Sequence, residues 1–132
     1  METTLIEPSQ EVDAVAKSVV DAAFNVHRNL GPGLLESVYE ACLVYELEKR
    51  ELVVERQKNI SIQYENIKLD AGLRVDLIVN NCVVVELKAV ESLLPVHEAQ
   101  ILTYLKLINM KVGLLINFNV PLIKNGIKRK II

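Results

Sequence analysis

Arg74-Val75-Asp76-Leu77-Ile78-Val79-Asn80-Asn81-Cys82-Val83-Val84-Val85-Glu86-Leu87-Lys88-Ala89 is the stretch on which the fold turns. Two apolar runs rich in valine and isoleucine flank a short polar break, the pattern of two strands joined as a hairpin. The near-continuous apolar character of Cys82 to Val90 marks a central strand covered on both faces. Three ionisable residues interrupt these runs where core packing would not choose them: Asp76, Glu86 and Lys88. Charges in buried strands are costly unless they pair or hold a metal. Glu86 and Lys88 are two apart, so on a strand they leave one face about 7 Å apart. Asp76 meets Glu86 across the hairpin if the register closes over an odd loop such as Asn80-Asn81-Cys82. A two-residue Asn80-Asn81 turn would set Asp76 against Val85 instead and separate the carboxylates. The odd loop is the expectation taken here.

Outward from this hairpin the chain alternates between two periodicities. Toward the N-terminus, Val12, Val15, Ala16, Val19, Ala22, Ala23 and Val26 recur at helical spacing, predicting a helix from about Val12 to Leu30. Gly31-Pro32-Gly33 stops it. A second helix follows from about Leu35 to Arg50, with Val38, Ala41, Cys42, Tyr45 and Leu47 read as much of its apolar surface. After Glu51 the period becomes two. Leu52 to Gln57 reads as a short strand; Ile60, Ile62 and Tyr64 alternate with polar neighbours; Glu65-Asn66 is turn-like; and Leu69 to Val79 is extended. Beyond the hairpin, Leu93-Leu94-Pro95 breaks the strand pattern. Val96 to Asn109 then reads as a helix with Ala99, Leu102 and Leu105 among its apolar positions. Val112 to Phe118 is a further buried strand, and Ile123 to Ile132 a last one at the sheet edge. The order predicts one α/β domain, an α+β sandwich, over residues 1–132.

Composition agrees. The chain has 132 residues, 51% hydrophobic and 24% charged, enough for one core and inconsistent with disorder or a disulfide scaffold. The longest uncharged run, Val112 to Ile123, is short of the about 20 apolar residues that span a membrane. Glu2, Thr3 and Thr4 make no basic leader, and Cys42 and Cys82 lack a C-x-x-C spacing. A cytoplasmic protein without membrane contact is expected. Net charge is −2, but Lys111, Lys124, Lys128, Arg129 and Lys130 gather at the C-terminal end without an acid among them. Such a tail either touches an anionic partner or guards a solvated edge strand.

Two facing carboxylates repel and call for a cation. Hard oxygen donors select Mg²⁺ or Mn²⁺ over zinc, and a lysine beside such an ion can position water or stabilise charge developing on a phosphate. The competing reading is a structural ion pair between Lys88 and a carboxylate within the sheet.

The spacing Asp76…Glu86-Leu87-Lys88 resembles the D…(D/E)-x-K signature of the PD-(D/E)XK nuclease superfamily. More narrowly, Gly33-Leu34-Leu35-Glu36-Ser37-Val38-Tyr39 resembles the motif that names the GxxExxY proteins, assigned to that superfamily. The wording around it is similar too: His27 to Gly33, Pro95-Val96-His97-Glu98-Ala99-Gln100, and Gly113 to Phe118. Val75 stands where the superfamily's name has proline. The resemblance implies a restriction-endonuclease-like core, a mixed sheet flanked by helices. It implies that Asp76 and Glu86 ligate Mg²⁺ or Mn²⁺, joined by the Leu87 carbonyl and by Glu36, and that Lys88 serves the attacking water. Gln100 and Tyr104 match a Q-x-x-x-Y pattern on the helix after the E-x-K strand, a spacing that shares one helix face.

The expected function is metal-dependent hydrolysis of nucleic acid, DNA before RNA, with Lys124, Lys128, Arg129 and Lys130 on the substrate backbone. A homodimer or protein partner would complete so small a core. The alternative is a non-catalytic module that keeps the nuclease fold; a small-molecule hydrolase using the same metal is a third reading. Other residues have plainer explanations. Glu36 suits the positive end of a helix dipole, Tyr39 packs under the site with its hydroxyl bonded, His27 and His97 support structure, and Cys42 and Cys82 fill core.

Overall fold

The computed structural model describes residues 7–132, so Glu2, Thr3 and Thr4, on which the absence of a leader was read, lie outside the described residues. Helix α1 spans Gln10–Leu30 and α2 Glu36–Lys49. Strands β1 (Val54–Tyr64), β2 (Ile67–Val79) and β3 (Val83–Lys88) follow, then α3 (Pro95–Ile108), β4 (Val112–Asn117), a 3₁₀ turn (Ile123–Gly126) and β5 (Ile127–Ile131). The five strands form one sheet in sequence order. Only β3 and β4 run parallel, because α3 carries the chain between them; the other neighbours are antiparallel. This mixed sheet with α1 and α2 on one face and α3 on the other is an α+β sandwich, a mixed sheet flanked by helices.

Local chemistry sets the elements. The Ser9 side chain accepts from the Val12 N–H and caps α1, and Gly31 ends it at φ 71° with its N–H on the His27 carbonyl. The apolar stripe of α1 is buried as its spacing predicts. In α2 the buried face is Tyr39, Leu43, Val44 and Leu47, whereas Val38, Ala41 and Tyr45 are exposed. Tyr39, Leu43 and Leu47, four apart, share the face that packs on α1 and the sheet. In α3 the inward residues are Ile101 and Leu105, while Ala99 and Leu102 face out.

The two short extended runs after Glu51 are one eleven-residue strand, β1, paired with the thirteen-residue β2. Gln57 takes a positive φ of 48° without ending the strand. At the other end of the chain, Ile123–Gly126 winds into a 3₁₀ turn, so β5 is shorter than the expected strand.

The β2–β3 pairs are Val79 with Val83, Ile78 with Val84 and Leu77 with Val85, leaving Asn80-Asn81-Cys82 as the loop. Asn80 and Asn81 sit at φ 49° and 53°, a conformation asparagine tolerates better than most residues. One more step in this register brings Asp76 opposite Glu86.

Candidate metal centre

The paired ladder between β2 and β3 stops at Leu77–Val85, where the carboxylates begin. Side chains then take over the work of backbone bonds. Asp76 Oδ2 accepts from the Leu87 N–H at 2.9 Å, and Glu86 Oε1 accepts from the Asp76 N–H at 3.3 Å. Strict alternation of β2 also breaks here. Leu77 and Val79 pack toward α1 and α2, yet Val75 and Ile78 both pack toward α3. Asp76 therefore lies at an irregular point of the strand, facing Gln57 of β1. The Gln57 amide donates to Asp76 Oδ1 at 3.4 Å and to Glu40 of α2.

Glu86 is only 5% exposed. Burial first, then sharing of hydrogen bonding and charge with Asp76, push its carboxyl up to about 9. At neutral pH, without a cation, this group keeps its proton. Lys88, two residues on along β3, has no carboxylate within ion-pair distance among the described residues. The structural ion pair weighed against the metal site is thus not formed. The Lys88 backbone is held from β4: it pairs with Asn117, and its carbonyl accepts from the Phe118 N–H at 3.0 Å. Asn117 is 1% exposed and clamps the exit of β3, accepting from the Val90 N–H at 3.1 Å and donating to the Val90 carbonyl at 2.9 Å.

Two helices approach from opposite faces. Gly33, at φ 96°, turns the chain into α2, whose first residue is Glu36. Tyr39 holds that turn in place: its ring stacks on Phe118 at 4.6 Å, its hydroxyl donates to the Gly31 carbonyl at 2.6 Å and accepts from the Leu34 N–H at 3.1 Å. Glu36 is exposed; partial desolvation, then the charges of Asp76 and Glu40, raise its carboxyl against the pull of Lys88. From α3, partly buried Tyr104 packs on the smaller core; burial, then the charges of Glu86 and Asp76, raise its hydroxyl. Gln100 lies on the same helix but is exposed, and no hydrogen bond joins it to the carboxylates among the described residues.

Two members of this group escaped the sequence reading. Glu40 is one helical turn after Glu36, a spacing that shares a face and would have found it. Gln57 carried no such signal, because its role follows from an irregular backbone opposite Asp76. The basic tail is split rather than gathered. Alternation along β5 sends Arg129 to α1, where it meets Asp13 at 2.9 Å, and Lys130 to α3, where it meets Glu98 at 2.6 Å. Lys124 and Lys128 form no ion pair among the described residues. His27 Nε2 donates to the Val120 carbonyl at 2.7 Å, and His97 Nδ1 accepts from the Leu94 N–H at 3.0 Å.

Among the described residues no three His, Cys, Asp or Glu side chains converge as a metal cluster. The pair Asp76–Glu86 still suits a hard cation. Mg²⁺ is commonly held by one or two carboxylates, with water and substrate phosphate completing the shell, and a cation would offset the burial and the Asp76 charge that raise the Glu86 carboxyl. The Leu87 N–H points to Asp76, and in extended chain the carbonyl of a residue leaves the same strand edge as its N–H.

No curated protein and no solved structure matches the chain. A family model described as the PD-(D/E)XK nuclease superfamily matches residues 13–130, a span that contains every residue of the site described above. Members of that superfamily generally use divalent metals and act on nucleic acid. With this match over most of its length, the chain belongs to the PD-(D/E)XK nuclease superfamily.

Proposed function

We propose that the chain is a divalent-metal-dependent nuclease of the GxxExxY type, hydrolysing phosphodiester bonds with DNA as the preferred substrate. The observation that carries this reading is a buried carboxyl, Glu86, set against Asp76, with an ion-pair-free lysine two residues along the same strand. Asp76 and Glu86 would hold Mg²⁺ or Mn²⁺, with the Leu87 carbonyl beside them and Glu36 closing the set from α2. When bound, the ion supplies Lewis-acid stabilisation of phosphate charge and a more acidic water. Lys88 donates hydrogen bonds to the attacking water or to the phosphate oxygens as negative charge grows there. Glu40 and Gln57 orient Asp76. Tyr104 presents its hydroxyl to the carboxylates from the far face, and Gln100 stands at the rim of α3 where substrate would pass.

Localisation in the cytoplasm and action as a homodimer belong to the same proposal. No described helix is long and apolar enough to cross a membrane. The test is Mg²⁺- or Mn²⁺-dependent cleavage of labelled DNA by the purified chain, with Asp76→Ala and Lys88→Ala as controls. Loss of cleavage in both variants supports the reading; cleavage unchanged in Asp76→Ala assigns the activity elsewhere.

A second reading, a binding module on the nuclease fold, is favoured by one observation: among the described residues no third carboxylate converges with Asp76 and Glu86. It predicts nucleic-acid binding that is indifferent to metal and to Asp76→Ala.

A further inference from the structure

Past Lys88 lies a separate cavity of about 230 Å³, open to solvent. Glu91 and Ser92 form one wall, Asn125 and Lys128 the other, and Asn117 and Val120 lie among its lining. Gly126 lets the 3₁₀ turn close on the end of β4 beside it: a Cβ there would lie 2.1 Å from the Asn117 carbonyl oxygen, so no side chain fits between them. Asn117 spends its polar atoms on Val90 and on the Asn119 N–H. The side chains of Glu91, Ser92, Asn125 and Lys128 bond to no protein group among the described residues. Four exposed polar side chains of different character therefore line one small space, their polar groups open to solvent or to a ligand.

Its position is set by the sheet. Glu86, Leu115 and Lys128 are partners in a single row across β3, β4 and β5, and Lys88 is partnered with Asn117 in the cavity lining. Leu115 packs toward α3, so Lys128, its partner, leaves that same face, as Glu86 does. Two strand spacings, about 10 Å, separate Lys128 from Glu86 along this row. The candidate metal centre and the cavity thus share one face, at the carboxyl ends of the parallel pair β3 and β4, where open sheets bind ligands.

The chemistry selects a ligand. Lys128 offers one cation for one phosphate. Glu91 disfavours a second anion and suits an amino-bearing base edge, as carboxylates do toward the cytosine amino group. The volume lies below the about 300–1,000 Å³ of sites for larger ligands, so it holds one nucleoside and not a stacked pair. A base reaches such a space only when unpaired.

We infer that this cavity is a subsite for the nucleotide adjacent to the cleaved phosphate in single-stranded nucleic acid, with phosphate on Lys128 and an amino-bearing base against Glu91. The inference rests on the nuclease reading and adds strand and base preference to it. The test is fluorescence anisotropy of the full chain, in Ca²⁺ to slow hydrolysis, with labelled oligo-dC, oligo-dT and blunt duplex DNA. Mn²⁺ calorimetry is run in parallel on each variant. The expected result is oligo-dC bound about tenfold tighter than oligo-dT, a difference of about 1.4 kcal/mol, with duplex weakest. Glu91→Ala removes the dC preference. Lys128→Ala weakens both oligonucleotides and lowers the salt slope by about one. Neither variant changes Mn²⁺ uptake. Equal binding of dC and dT with no effect of either substitution overturns the subsite. Duplex binding as tight as single-strand binding also overturns it, and leaves the nuclease reading standing if Mn²⁺ is still taken up. Failure of the wild type to bind metal or any DNA overturns both.

Discussion

Beneath α1 and α2 the sheet presents Leu77, Val79, Val83, Val85, Leu87, Val112, Leu114 and Ile116, all buried in a continuous apolar layer closed by two helices. Beneath α3 the corresponding layer is thinner: Val75, Ile78, Val84 and Leu115 from the strands, Ile101 and Leu105 from the helix. Glu86 and Lys88 alternate onto this second face. Each buried aliphatic side chain contributes about 1.5–3 kcal/mol, so the first face can carry most of the stability while the second hosts a buried acid that costs some. The difference explains how a small chain keeps Glu86 protonated in its interior without losing its fold.

If the faces divide in this way, substitutions should separate by readout. The largest effect is expected from Lys88→Ala, which should reduce cleavage by about 10²–10⁴-fold, the usual range for a positioned proton-handling group, with little change in urea midpoint. A parallel loss of stability would break the comparison, because Lys88 would then be structural. Next comes Leu47→Ala, from the fully buried face of α2. Urea denaturation should show a loss of about 2–5 kcal/mol, with Mn²⁺ affinity of the folded fraction unchanged.

Asn117→Ala tests the clamp between the faces. It leaves the Val90 N–H and carbonyl without their side-chain partner, a loss of about 1–3 kcal/mol that urea denaturation would read. Because the same clamp holds the exit of β3, cleavage should fall as well. Stability lost without any change in kcat would detach Asn117 from the site.

The smallest effect is a slope with pH, at most about 1.4 kcal/mol per pH unit. Glu86 titrates near 4.5 when unfolded and near 9 when folded. Between those values the folded chain holds a proton that the unfolded chain has lost, so stability of the metal-free protein falls as pH rises across this window. Glu36, also raised, contributes with the same sign. Glu86→Gln should flatten the fall in urea midpoint across the window. An unchanged slope would mean that Glu86 is not the buried acid.

Much of this arrangement was readable from local pattern. The helical stripe of α1, the valine run of β3 and the three-residue Asn80-Asn81-Cys82 connection set the sheet centre and bring Asp76 across from Glu86. What local pattern misses depends on distant contacts. Val38 and Tyr45 offer apolar surface as Leu43 does, and only packing on α1 and the sheet decides which of them is buried. The basic tail reads as one patch until Asp13 and Glu98, far away in sequence, claim Arg129 and Lys130. The 3₁₀ turn before β5 brings Gly126 close against Asn117, a contact no periodicity reports. Gln57 enters the site through a backbone irregularity for the same reason.

The central claim is that Asp76 and Glu86 together form a cation site in which metal replaces the proton held by Glu86. Calorimetric titration of Mn²⁺ at neutral pH, repeated in buffers of different ionisation enthalpy, measures both uptake and proton release. The account predicts one saturable site releasing about one proton per ion bound, with both signals lost in Asp76→Ala. Saturable binding that survives Asp76→Ala, or that releases no proton, would contradict it.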